Sequence, residues 1–527
     1  MTAGATAGRR PGALPPNAPT LNALPRIHAT VVHMLAEAAA EAGDRTALRC
    51  GDISLSYAEY LRCVGGFARA LQGLGARAGE RVALLLGNSA EMAIALFAVH
   101  ASGAQAVPLN PIYTERELRT ILADAAPVAI VHDEATEALV KALAGELGIG
   151  HCLRVGLGGR DLTAWRGDRT ATLPEPLPDP SSFATLQYTG GTTGRPKGVN
   201  NAHDQMAINL AQRDALIPGR LDGERVLCVM PLFHVFAVST CLHLAAFCRG
   251  TLVILPRYRP DAVLETLERE RITVFAAGPT VFNGLLAHER FAATDFSHLR
   301  LSHSGSAPLP ETTLKRWEDA TGSPILEGYG QTEAGPVLTF NPEFGVRKPG
   351  SVGVVVPLTE VEIVDVETGL TVLPAGQQGE IRARGPQIMS GYRNLPRETA
   401  ETLRDGWLYT GDIGEFDEDG YLYIRDRKKD MAIVGGYNVY PREVDEVLYG
   451  HPAVLEAAAV GVPDDYRGEV IRAYVVFKPE AAASVEALLD HCRANLAKYK
   501  VPAAIVPVEA LPRTPVGKVD KKALRAR

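Results

Sequence analysis

From about Thr30 onward the chain carries apolar residues at two alternating periods. After Ser56, the residues Tyr57, Tyr60, Leu61, Val64, Phe67, Leu71 and Leu74 fall on one face at helical spacing. Glu59, three residues beyond Ser56, completes a capping box, and Gly73 and Gly75 close the helix. The run RVALLL over 81–86 reads as a buried strand, a further helix starts near Ser89, and 104–108 reads as another strand. The same beat returns mid-chain, with strands predicted over 226–229, 251–255 and 273–276 and helices over 261–271 and 310–320. Such alternation predicts a layered α/β fold.

Between about 350 and 424 the pattern shortens to small strands separated by Gly, Asp and Pro, as in VEIVD, GEIRARG and DEDGYLYI. A charged run, Arg425-Asp-Arg-Lys-Lys-Asp430, follows, and beyond it comes a compact α+β pattern. That pattern comprises a helix from Pro441, strands near 455–461 and 470–477, a helix over 484–497 and a basic tail. The expected organisation is therefore a disordered leader over 1–25, a large N-terminal domain over 26–427 and a small, mobile α+β C-terminal domain over 428–527. The N-terminal domain would hold layered α/β subdomains and a β-rich subdomain at about 350–425, with the charged run as the joint.

Composition narrows the function classes. At 527 residues the chain exceeds one ordinary core, and 46% hydrophobic with 22% charged residues is a water-soluble balance. A net charge of −7 gives no basic footprint for nucleic acid. Seven scattered cysteines without a CxxC pair argue against a disulfide framework or structural zinc and point to a reducing, cytoplasmic setting. Arg9-Arg10 is followed by no apolar stretch, so it is not read as an export signal. The most apolar long segment, 92–108, is interrupted by His100, Ser102 and Gln105 and is too short for a transmembrane helix. Peripheral membrane contact and a homodimer are left open.

The strongest chemical signal is Tyr188-Thr-Gly-Gly-Thr-Thr-Gly-Arg-Pro-Lys-Gly198, placed after a predicted strand over 183–188. Gly190, Gly191 and Gly194 let the backbone approach a phosphate, Thr189, Thr192 and Thr193 offer hydroxyls, and Lys197 adds charge. It lacks the G-K-[ST] ending of a Walker loop. With the motifs below, in this order, the chain resembles the adenylate-forming superfamily of acyl-CoA synthetases, adenylation domains and firefly-type luciferases over nearly its whole length after the leader. The family usually has serine where this chain has Gly190, and LQYTGGTTG is similar to bacterial long-chain fatty-acid CoA ligases.

What the resemblance implies is specific. In Glu327-Gly-Tyr-Gly-Gln-Thr-Glu333, Tyr329 would stack on adenine, Thr332 would contact the α-phosphate, Glu333 would bind Mg²⁺, and Gly330 would belong to the same nucleotide site. Gly305, Ser306, Ala307 and Pro308 match the strand–loop that lines the adenine. Asp412, in Tyr409-Thr-Gly-Asp412, would accept hydrogen bonds from the ribose, with Arg427 in support. Lys429 matches the hinge, and Gly435 and Gly436 the loop lining the coenzyme A tunnel. Lys518 matches the catalytic lysine of the adenylation half-reaction.

The implied activity is that of an AMP-forming acid–CoA ligase using ATP, Mg²⁺ and coenzyme A. It would make an acyl-adenylate and then a thioester. The acid pocket would be built from His234, Phe236, Ala237, His303 and Gly328, with His234 gating the entrance. Its apolar wall, continued by Val337, favours medium- or long-chain fatty acids, with aryl or arylpropenoic acids as the alternative. No arginine stands in these segments to pair with a second carboxylate, which argues against malonate-like acids. A fatty-acid adenylating enzyme that loads a carrier protein remains open. His234 stands where amino-acid-activating members place aspartate. A nucleotide sensor without catalysis would be expected to lack one of Glu333, Asp412, Arg427 or Lys518, and all four are present.

Overall fold

The computed structural model describes Leu24 and residues 26–189, 196–434, 437–464, 466–478, 481, 483–514 and 518–527. The leader over 1–25, apart from Leu24, therefore lies outside the described residues. The expected helix after Ser56 runs Tyr57–Gln72, and its capping box is made: the Ser56 hydroxyl accepts from Glu59 N and the Glu59 carboxylate from Ser56 N. Tyr57, Tyr60, Val64, Phe67 and Leu71 are buried on the inner face, so the apolar period places the helix.

Two large sheets carry the N-terminal domain. One has a parallel centre formed by Ile325–Gly330, Leu301–Ser304, Val274–Ala277, Arg225–Cys228, Thr251–Ile254 and Thr46–Cys50, in that spatial order. The other has a parallel centre of Phe183–Thr189, Gln105–Pro108, Arg81–Leu85, Ala129–His132 and His151–Arg154. The short apolar runs read as strands are these central ones, buried along nearly their whole length, as parallel strands covered on both faces should be. Helices Ala90–Ala101, Pro260–Arg269 and Glu311–Thr321 lie within two residues of their expected bounds.

The short-strand texture beyond 350 becomes an antiparallel sheet of Glu360–Val364, Gly379–Arg384, Trp407–Phe416, Leu403–Arg404 and Leu422–Arg427. A smaller C-terminal domain follows, its sheet built on the long hairpin Val454–Asp464 and Gly468–Phe477 with helices Pro441–Tyr449 and Val485–Asn495. The fold is a multi-domain α/β architecture. Open α/β sheets bind ligands beyond the carboxyl ends of their parallel strands. Three such ends, at Thr189, Ser304 and Gly330, carry the three loops that the sequence marks for nucleotide chemistry.

Candidate active site

The strand Phe183–Thr189 turns back antiparallel as Lys197–Ala202, with Thr189 opposite Lys197. That hairpin holds both ends of the glycine-rich loop. Gly190, Gly191, Thr192, Thr193 and Gly194 lie outside the described residues, as do Gly435 and Gly436. The hairpin also braces its neighbours. Gln187 donates to Phe233 O at 3.0 Å, holding the loop that carries His234, and Asn201 donates to Thr332 O at 3.3 Å. Asn88 fixes the other side of the His234 loop, donating to Met230 O at 3.0 Å and accepting from Leu232 N at 2.7 Å.

Asp412 is 3% exposed and has both oxygens engaged. Tyr329 donates its hydroxyl to Oδ2 at 2.6 Å, and Arg427 Nε lies 3.1 Å from Oδ1. Arg427 stands directly opposite Asp412 across the antiparallel pair, which accounts for their fifteen-residue spacing through a hairpin. Burial first, then the Asp412 charge, raises the Tyr329 phenol well above its ordinary value, so it remains a donor.

Glu333 sits in the short turn Thr332–Ala334. Its Oε1 accepts from the Tyr392 hydroxyl at 2.9 Å, and the same tyrosine ring lies under the Lys197 ammonium, 4.8 Å from its centroid. Tyr392 reaches this place because the short strand Gly391–Tyr392 pairs with Lys197–Ala202. Burial raises the Glu333 carboxyl above its ordinary value.

The loop at Gly305 and the strand end at Gly328 are tightly closed. A Cβ on Gly305 would meet the Phe236 ring at 2.9 Å, and one on Gly328 the Phe340 ring at 2.6 Å. Ser306 holds φ +69°, a left-handed conformation that turns the loop toward Ala307 and Pro308. His303 is buried in the strand below, edge-on to Phe340 with centroids 5.3 Å apart. His234 Nδ1 accepts from Phe236 N at 3.2 Å, which leaves the ring proton on Nε2. Burial, then Lys518, lowers the His234 pKa to about 3, so the ring is neutral.

Lys518 comes from the C-terminal domain into this setting. Its pKa is lowered to about 8 by burial and then by Arg427, while Asp412 and Glu333 pull it back up. One lysine thus feels Asp412, Glu333, Arg427 and His234 together. Lys429 lies in the turn between the strands Leu422–Arg427 and Ala432–Val434, where the chain passes between domains.

Two family profiles match: that of AMP-binding enzymes over residues 35–393 and that of the AMP-binding enzyme C-terminal domain over 443–518. This chain belongs to the AMP-binding enzyme family. Among its relatives is a long-chain-fatty-acid–CoA ligase of Bacillus subtilis (strain 168), 37% identical over 532 residues that cover 95% of each chain. Another is a feruloyl-CoA synthase of an Amycolatopsis species, 39% identical over 92% of this chain and 96% of the relative. Among solved structures, ATP-bound MatB from Rhodopseudomonas palustris superposes with a TM-score of 0.88 at 33% identity, covering 95% of this chain and 99% of that one. As an AMP-binding enzyme with such relatives, the chain is an AMP-forming acid–CoA ligase that works with ATP, Mg²⁺ and coenzyme A.

The site fits a magnesium ion. The described residues hold no cluster of three or more His, Cys, Asp or Glu able to bind a metal. Glu333 Oε1 is shared with Tyr392, and both oxygens of Asp412 are occupied. An ion here would take one carboxylate from the protein and its other oxygens from phosphate and water, which is the habit of Mg²⁺.

Sequence reading missed Tyr392, Gln187, Asn201 and Asn88. Gln187 lies inside the quoted LQYTGGTTG segment without a role drawn for it, and the other three lie in none of the motifs above. The one local hint is that a polar residue inside an otherwise apolar strand needs a partner, and Gln187 in Phe183–Thr189 meets that description.

Proposed function

We propose that this AMP-binding enzyme activates a carboxylic acid with an apolar body, with medium- or long-chain fatty acids first and aryl or arylpropenoic acids second. The observation that carries the reading is the apolar packing around the His234 loop, with Phe236 against Gly305 and Phe340 against Gly328, beside a Lys518 that feels Asp412, Glu333 and His234. The apolar faces of Phe236, Ala237, Val337 and Phe340 support an apolar acid, as do the names of two relatives, a long-chain-fatty-acid–CoA ligase and a feruloyl-CoA synthase.

The carboxylate oxygen attacks the α-phosphorus of ATP, and the bond to the bridging oxygen breaks. Pyrophosphate departs, leaving a mixed anhydride of acid and AMP. Charge grows on phosphate oxygens, so positioning and electrostatics do most of the work. Thr189, Thr192, Thr193 and Lys197 would hold the departing pyrophosphate. Thr332 would face the α-phosphate, and Lys518 would neutralise charge between the acid and that phosphate. Magnesium, when bound through Glu333, supplies charge neutralisation on the phosphate oxygens. Asp412 and Arg427 would set the ribose, Tyr329 and the segment from Gly305 to Pro308 the adenine. His234, neutral with its proton on Nε2, would donate to the carboxylate at the entrance.

For thioester formation the C-terminal domain, 428–527, would turn about Lys429, withdrawing Lys518 and bringing Gly435 and Gly436 to the coenzyme A channel. Seven free thiols among the described residues support a reducing, cytoplasmic setting. The test is incubation of purified protein with ATP, Mg²⁺, coenzyme A and a pooled acid panel, read as acyl-CoA masses. Acyl-CoA from wild type but not from Lys518→Ala supports the reading. Adenylate without any thioester would make a carrier protein the acceptor instead.

A further inference from the structure

Helix His203–Asp214 buries a cation whose donors are unmet among the described residues. Arg213, near the end of helix His203–Asp214, is 1% exposed, and none of its three guanidinium nitrogens has a hydrogen-bond partner among the described residues. Guanidinium does not give up its proton in proteins, so this is a full buried charge. The adjacent Asp214 acts on it as a counter-charge but meets none of its donors. No ion pair joins the two, and Asp214 Oδ1 instead accepts from Gly219 N at 2.7 Å. Buried donors left without hydrogen bonds are costly enough that an unexplained set calls for a ligand or a role.

The position of Arg213 indicates which ligand. Asn209, one helical turn earlier on the same face, clamps Val337 through both backbone groups, accepting from N at 3.0 Å and donating to O at 2.9 Å. The helix face bearing Arg213 is thereby fixed to the strand Val337–Phe340, whose Phe340 ring closes on Gly328 and His303. His303 is 2% exposed with both ring nitrogens unpartnered. His243 ends the turn Val238–His243, which continues directly from Phe236 and Ala237. The Arg213 charge acts on both rings, and with burial as the larger cause it keeps them neutral. Neutral imidazoles can donate beside a guanidinium without adding to its charge. The strand of His303 and the segment running on from Phe236 and Ala237, both assigned to the pocket, therefore carry imidazoles that feel the charge of a helix outside it.

We propose that the acid taken by this enzyme carries an oxygen acceptor at its far end, a second carboxylate foremost, received by Arg213 with His303 and His243. The inference rests on the ligase reading and narrows its acid to one with an oxygen at the far end, in place of a plain fatty acid. The apolar walls take the middle of the molecule, and the far group meets a fork of donors that a terminal methyl would leave empty. It also answers the expectation drawn from the sequence, which found no arginine in the pocket segments: the arginine comes from a helix outside them.

The full-length protein with ATP, Mg²⁺ and coenzyme A decides this on matched pairs of acids. One series pairs monocarboxylic with α,ω-dicarboxylic acids of equal length, and another pairs cinnamic with 4-hydroxycinnamic acid. The expected result is a kcat/KM at least ~10²-fold higher for the oxygen-terminated member of one series, because a site built to hydrogen-bond a group rejects the analogue lacking it. Arg213→Met should erase that preference, mostly through KM for the oxygen-terminated acid. Arg213→Lys, keeping charge without the fork, should fall between. Preference for the dicarboxylic arm identifies a carboxylate, and for the hydroxylated arm a phenol. Wild-type enzyme that uses methyl-terminated or unsubstituted acids as well as their partners would overturn the proposal while leaving the ligase reading intact, and this holds even where Arg213→Met fails to fold. If no acid yields adenylate or thioester, the ligase reading fails and this proposal with it.

Discussion

The hydroxyl of Tyr329 is bonded to Asp412 at 2.6 Å, so the ring proposed to stack on adenine is fixed by the carboxylate proposed to hold the ribose. The two halves of a nucleoside would then be read by one rigid unit, with Arg427 3.1 Å from the opposite oxygen. Removing the hydroxyl should release the ring without removing its face. Tyr329→Phe is expected to raise KM for ATP ~10-fold, the worth of one hydrogen bond to a charged group, with little change in kcat. Asp412→Asn should cost more, because the ribose and Arg427 both lose a charge. ATP titrations of pyrophosphate exchange measure this, and an unchanged KM in Tyr329→Phe would remove the coupling.

Tyr392 joins the two charged groups on the phosphate side. It donates to Glu333 at 2.9 Å and lies under Lys197 at 4.8 Å. Tyr392→Phe keeps the ring beneath the ammonium and removes only the donor. The expected outcome is a rise of ~10-fold or more in the Mg²⁺ concentration giving half-maximal adenylation, in line with losses seen when partners of metal ligands are removed. KM for the acid should not move. A Mg²⁺ titration identical to wild type would show that Glu333 is oriented without it.

These two tyrosines mark what the sequence could and could not tell. Tyr329, Glu333, Asp412 and Lys518 lie in short segments whose spacing is set locally, by a strand end, a turn or a hairpin, so each was legible as part of a motif. The helix from Tyr57 and the buried parallel strands were legible for the same reason, since period and caps are local. Tyr392 meets Glu333 across 59 residues, through the pairing of a two-residue strand with Lys197–Ala202. Arg213 lies among polar neighbours on helix His203–Asp214 and reads as a solvent-facing residue until the sheets are stacked. Contacts of that kind are set by topology, and no window of sequence contains them.

Lys518 is proposed to act in one half-reaction only. Lys518→Ala should lower the adenylation rate by ~10²–10³, the usual loss when one preorganised charge contact is removed. Thioester formation from supplied acyl-adenylate should stay within about threefold of wild type, since Lys518 would be withdrawn at that stage. Single-turnover assays started from acid and ATP, and separately from acyl-adenylate, measure the two steps. Equal losses in both would place Lys518 in the fold rather than in the adenylation step.

The depressed lysine also gives activity and stability opposite responses to alkali. Burial, then Arg427, lowers the Lys518 pKa from 10.5 to about 8, and the acting form is the cation. In kcat/KM, which reports the free enzyme, adenylation should therefore fall as pH rises through about 8, approaching tenfold per unit beyond it. His234, lowered to about 3, is neutral throughout and should add no acid limb between neutrality and pH 5. For folding the sign reverses. Between about 8 and 10.5 the unfolded chain holds a proton on Lys518 that the folded chain has lost, so this group's contribution to stability rises with pH while activity falls. Lys518→Arg retains its charge across the range, so its alkaline limb should move above pH 9 whatever its absolute rate. Pyrophosphate-exchange profiles of wild type and Lys518→Arg, run beside thermal melts at each pH, separate these effects. A limb that stays near 8 in Lys518→Arg would assign the titration to another group.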